Sequence, residues 1–167
     1  VSNETDSIQV DLWSPLSLSA SSPSYSKKTV LLTNGNATLQ FPGATYGNSY
    51  YIAVKHRNSI ETWSKNPLLF SSTNNYDFST NLNSAYSNGT NPPLKLLSAG
   101  VYGIYSGDVN QNGSINSSDL SVAQTGASAF ERGYNSNDCN GDGATDLTDL
   151  QIIENNGSML IIYARPY

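Results

Sequence analysis

The sequence predicts a mainly β protein, an antiparallel β-sandwich followed by a small helical unit that carries two metal-binding loops. Three observations predict it. Residues 1–104 hold short apolar runs broken by turn residues every few positions, with no helical periodicity. One twelve-residue, oxygen-rich loop is written twice, at residues 108–119 and 138–149, and each copy runs into an apolar segment. The chain is poor in charge yet rich in tyrosine, with 13% charged residues and 11 Tyr.

Residues 7–13 (Ser-Ile-Gln-Val-Asp-Leu-Trp) alternate apolar and polar at period two, as a half-buried strand does. Residues 14–28 are rich in Ser and Pro and read as a loop with room for a short strand. Residues 29–41 read as a hairpin turning at Asn34-Gly35, because this pair favours the left-handed turn between twisted strands. Pro42-Gly43 ends it. Residues 49–56 form the next strand and residues 60–64 another. Residues 66–70 and 76–78 are short edge pieces, and residues 81–93 form a loop closing on Pro92-Pro93. Residues 95–107 are Gly-punctuated and alternating, so a strand, not a helix, leads into the first loop.

At 167 residues the chain fits one domain or two small ones, here 1–104 and 105–167. Hydrophobic residues make up 37%, below the usual share, so the aromatics must supply much of the core. Low charge with many aromatics excludes a disordered chain. A net charge of −5 argues against nucleic acid and anionic membrane surfaces as partners. No apolar run approaches the roughly 18–20 residues of a membrane span. The sequence begins at Val1 with neither Met nor a signal segment, which reads as a processed product or a fragment. Cys139 is the only cysteine, so no internal disulfide forms, and at loop position 2 it reads as a surface thiol.

In both loops oxygen-bearing side chains stand at positions 1, 3, 5, 9 and 12, with Gly113 or Gly143 at position 6. A loop of this kind wraps a hard cation with side chains from 1, 3, 5 and 12 and a backbone carbonyl from 7, while 9 often holds a water. Ile115 and Thr145 suit the β-bridge at position 8. Calcium is favoured over magnesium, which demands six close octahedral ligands and keeps its waters. Loop 1 has two carboxylates and loop 2 has four, so loop 2 is expected to fill first. Six of the 13 acidic residues lie in these loops, and two calcium ions would bring the formal charge from −5 to about −1. Without metal the carboxylates of loop 2 repel one another, and the C-terminal third should loosen.

Loop then helix, twice, with Asp at position 12, resembles the dockerin fold of secreted bacterial proteins over about residues 107–157. The resemblance implies two helices packed antiparallel and held by two calcium ions. It implies ligands Asp108, Asn110, Asn112, Ser114 (carbonyl), Asn116 and Asp119 in loop 1. In loop 2 it implies Asp138, Asn140, Asp142, Ala144 (carbonyl), Asp146 and Asp149. Dockerins bind cohesin partners through residues near loop positions 10 and 11, here Ser117-Ser118 and Leu147-Thr148. The two pairs differ, which departs from a dual symmetric face.

Residues 50–64, then Tyr76-Asp77-Phe78, then the run from Tyr105 to Asn110, look like a C-terminal module of large secreted proteins in the Bacteroidetes and Ignavibacteria group. That resemblance covers nearly the whole chain. It implies a prealbumin/Ig-like sandwich fused to a dockerin-like calcium domain, with structural or attachment roles and no catalytic residues. One apolar strand that usually precedes residues 7–13 in that family is missing, and a sandwich short of a strand has an exposed edge. The apolar run 159–163 near the C-terminus either packs back on its own chain or completes the sheet of the next copy, which would build a filament.

Catalysis finds little support. His56 is the sole histidine, no Gly-x-Ser-x-Gly elbow exists, and a zinc set cannot be assembled from one His and one Cys. Glu61 and Asp77 could pair as glycosidase carboxylates but read more simply as strand charges. Trp13, Trp63 and the tyrosines could form a sugar platform, although aromatics at strand spacing more often build a core. Asn-x-Ser/Thr sequons at Asn3, Asn36, Asn88, Asn112, Asn116 and Asn156 follow from the composition, and Asp6-Ser7-Ile8 looks like a short O-glycosylation motif. The sequence therefore predicts a non-enzymatic, calcium-stabilised extracellular structural module that associates with copies of itself at a cell surface or in a filament. A dockerin adaptor binding another extracellular, cohesin-like protein is the alternative, and a carbohydrate-binding module a third.

Overall fold

The computed structural model describes residues 3–167; the start at Val1 and the first two positions of the expected 1–104 unit lie outside the described residues. Five strands form the main sheet. β1 (Glu4–Trp13) lies between β2 (Tyr25–Leu32) and β3 (Ser49–His56), β4 (Ser59–Trp63) follows β3, and β5 (Leu68–Leu69) pairs with the start of β3. All these pairings are antiparallel. β6 (Lys95–Ser98) and β7 (Val101–Gly103) make a separate hairpin. Two helices complete the chain, α1 (Ser117–Ser128) and α2 (Leu147–Gly157). The architecture is mainly β with a small helical part, consistent with the expected sandwich followed by a helical unit.

The period-two pattern explains why the sheet is covered on both faces. Leu12, paired with Ile52 and Tyr25, points to one side with Tyr50. There Tyr25, Phe41, Tyr50 and Phe70 meet edge-on, with centroids 5.5–6.5 Å apart. Trp13, Ala53 and Trp63 point to the other side, where the two indoles tilt at 5.4 Å and Tyr51 joins them. Trp13 and Trp63 are buried, so neither supplies an exposed ring to a sugar platform. The buried carboxylate of Asp11 lies on this second face. It receives Lys55 Nζ at 3.0 Å, Ser26 Oγ at 2.6 Å and Gln9 Nε2 at 2.9 Å. Lys55 also pairs with Glu61 at 3.3 Å, while Asp77 accepts bonds from Ser79 and Thr80. Glu61 and Asp77 thus have separate local partners.

Some expected strands are absent, for readable reasons. The turn at Asn34-Gly35 forms, with Gly35 at φ 81°, but residues 36–41 do not run on as a strand. Phe41 turns into the aromatic cluster instead. In residues 76–78 the rings of Tyr76 and Phe78 meet at a tilt, with centroids 4.8 Å apart, and the Tyr76 hydroxyl donates to Ser84 O. The run 95–103 folds on itself as β6 and β7, because Gly100 takes φ 75°.

A third apolar cluster joins the sheet to the helices. Ile60 of β4 packs with Tyr105, Val109, Ile115, Ala123, Ile153 and Ile161. The backbone is stitched there too, with Ile60 N donating to Tyr105 O at 2.9 Å and Gly107 N to Asn58 O at 2.7 Å. The expected boundary at residue 104 falls at the entry to this shared core. The C-terminal run packs back on its own chain. Ile161 is buried, Ile162 bridges Ser114, and Ala164 forms a parallel bridge with Thr62 of β4.

Candidate metal centre

Each loop is wrapped around its own position-1 and position-12 carboxylates. In loop 1 Asp108 accepts Asn112 N and Gly113 N, both at 3.0 Å. Asp119 accepts Asn110 N at 3.2 Å and Asn116 N at 3.0 Å. In loop 2 Asp138 accepts Gly141 N at 2.8 Å and Gly143 N at 3.1 Å. Asp149 accepts Cys139 N at 2.7 Å, Asn140 N at 3.1 Å and Asp146 N at 2.9 Å. Positions 3 and 5 repeat as well. Asn110 and Asn140 accept the position-5 N–H, while Asn112 and Asp142 accept the position-7 N–H. Gly113 and Gly143 both take φ 85°, a left-handed conformation that favours glycine.

The position-12 residue also starts the helix. Asn116 and Asp146 are the N-caps of α1 and α2, and Asp119 and Asp149 return the bond from the third helical position, completing a capping box in each. One short carboxylate therefore closes the loop and nucleates the helix. Bonds from Thr148 hold the pKa of Asp146 below the ordinary carboxylate value.

The donor set suits a hard cation. Asp108, Asp119, Asp138 and Asp149 are all buried. Among the described residues no basic side chain pairs with Asp108 or Asp119, and Asp138 has only Arg57 Nη2 at 3.9 Å. Buried carboxylates without counter-charge are costly, and a cation among them removes that cost. Burial pushes the pKa of Asp108 up, bonds from Gly113 and Asn112 oppose this, and the neighbouring Asp119 charge adds to it. Among the described residues no group of three or more His, Cys, Asp or Glu is gathered as a metal cluster. Loop 1 has only two such residues, and in loop 2 Asp142 and Asp146 are turned toward Ala144 N and Thr148 N. All the other expected donors are amides or carbonyls.

Residues 106–157 match the family model of the dockerin type I domain. The match covers the helical part and stops short of the C-terminal run; the β part lies outside it. No curated protein matches the chain significantly. Among solved structures it is similar to a crystal structure of a type II cohesin–X–dockerin complex from Acetivibrio cellulolyticus. That likeness has 16% identity, covers 89% of this chain and 79% of that one, and has a TM-score of 0.49.

Within the dockerin-like segment, the positions 10 and 11 singled out above are exposed at the first turns of the helices. Leu147 is 78% exposed, and Ser117, Ser118 and Thr148 are exposed beside their loops. The position-11 hydroxyls are oriented alike, Ser118 Oγ by Asn110 and Thr148 Oγ1 by Asn140. Sequence reading missed the link to the sheet. Arg57, in the β3–β4 turn, donates to Asn135 O at 2.7 Å and to Asp138 O at 3.1 Å, and stands 5.5 Å from the Tyr134 ring. Asn58 donates to the same Asp138 O at 2.8 Å. Asp6 pairs with Arg57 and with His56, whose pKa burial lowers while Asn58 opposes. Nothing local in the sequence marks this pairing, which spans 78–81 positions. His56 belongs to this joint. Cys139 is not a surface thiol but packs half-buried against the shared core.

Proposed function

We propose that the chain is a non-catalytic, calcium-stabilised adaptor that docks onto a cohesin-like partner protein outside the cell. The dockerin type I match over the helical part carries this reading. Asp108, Asn110, Asn112, the Ser114 carbonyl, Asn116 and Asp119 would hold one calcium ion. Asp138, Asn140, Asp142, the Ala144 carbonyl, Asp146 and Asp149 would hold the second. The ions add the missing positive charge to the buried carboxylates and fix the two helix starts. The exposed residues Ser117, Ser118, Leu147 and Thr148 then face the partner. Pairing of residues 161–163 with loop 1 of the same chain favours this reading over donation of that run to another copy.

Binding of the full chain to a panel of type I cohesin domains, measured by biolayer interferometry in calcium and in chelator, tests the reading. Calcium-dependent binding is expected, and Leu147→Asp should weaken it by about tenfold or more if Leu147 is an anchor of the interface. Absence of binding to every domain, or binding indifferent to chelator, contradicts it.

A further inference from the structure

The segments after the two helices repeat with the same offset as the loops. The chain turns at Phe130 (φ 55°) after α1 and at Leu160 (φ 53°) after α2. After the first turn Arg132 bridges Ala144, with Thr145 N donating to Glu131 O at 3.0 Å and Gly133 N to Gly143 O at 2.8 Å. After the second, Ile162 bridges Ser114, with Ile115 N donating to Ile161 O at 2.9 Å and Tyr163 N to Gly113 O at 2.8 Å. Each loop is therefore pinned around position 7 by the segment that follows the other loop's helix. Position 7 is the one whose backbone carbonyl this loop type offers to the ion. Loop 1 is pinned more firmly. Ile161 is buried, and the Tyr163 ring covers Gly113 so closely that a Cβ there would meet Cδ1 at 2.6 Å.

We propose that residues 161–163 are a positioning segment for the calcium site of loop 1, and that filling loop 2 strengthens loop 1 through it. The inference rests on the calcium reading. An ion in loop 2 fixes Asp146 and Asp149, the capping pair of α2. α2 sets the turn at Leu160, and the turn delivers Ile161 O and Tyr163 N to the backbone flanking Ser114. The bonds common to both segments are backbone ones, so Glu131-Arg132-Gly133 and Ile161-Ile162-Tyr163 pin their loops alike while sharing no residue.

Calcium titration of the isotope-labelled full chain by NMR tests this. The amides of Gly113 and Gly143 donate to Asp108 and Asp138, so each reports its own loop. Tyr163→Pro removes both the N–H donor to Gly113 O and the ring that covers Gly113. It should weaken the Gly113 response about fivefold or more, with Gly143 shifted less than about twofold. Asp149→Asn weakens loop 2 and should also weaken the Gly113 response severalfold, which covers the case in which the proline variant fails to fold. A Gly113 response unchanged in both variants, or a proline effect equal at both glycines, overturns the inference. A wild-type chain in which neither glycine responds to calcium overturns the calcium reading itself.

Discussion

Asp119 and Asp149 are fully buried, and each accepts backbone bonds from both its loop and its helix start. The short Asp side chain lets one carboxylate serve both the loop backbone and the helix N-cap. Cys139 shows how such a loop orders its neighbours. Its N–H is taken by Asp149, its side chain packs on the shared core, and burial pushes its thiol up to about 12. Thiolate is the reactive form, so the native chain in calcium should react with a thiol reagent at least about tenfold more slowly than the chain in denaturant. Labelling followed by mass spectrometry checks this, and equal rates would show that the thiol is accessible. The sequence placed Cys139 correctly in its loop but left it to solvent, because the cluster it packs against includes residues as far away in the chain as Ile60.

Among the elements, β1 was legible because Ile8, Val10 and Leu12 alternate with polar residues, and β3 because Tyr50 to Val54 is a continuous run of aromatic and apolar residues. The return arm at 36–41 was not, because Phe41 gains more from the aromatic cluster than from a ladder. The turn between β3 and β4 does what its sequence did not disclose: Arg57 and Asn58 grip the entrance of loop 2. Arg57→Ala removes two charge-assisted, partly buried bonds to backbone carbonyls, a loss of about 2 kcal/mol. For a chain of this size the melting temperature should fall by about 5 °C, read by calorimetry in calcium. An unchanged melting temperature would mean that the turn rests on loop 2 without supporting it.

In the whole molecule the sheet and the helical part share one core through Ile60, Tyr105 and Ile161. The candidate donors are proposed from the sequence alone, because loops of this type keep their donors within twelve consecutive residues. What the sequence could not show is the stitching between distant backbones, at 131–133 with loop 2, at 161–163 with loop 1, and at Thr62 with Ala164. That stitching ties the C-terminal run to the loops, so that calcium in the proposed sites would act as a bolt for the whole C-terminal third. The most direct measurement is calorimetric titration of calcium into the decalcified full chain, followed in parallel by circular dichroism. The account predicts two ions per chain, the tighter in the four-carboxylate loop 2, with a gain of helix as they bind. Neither heat nor structural change at millimolar calcium would contradict it.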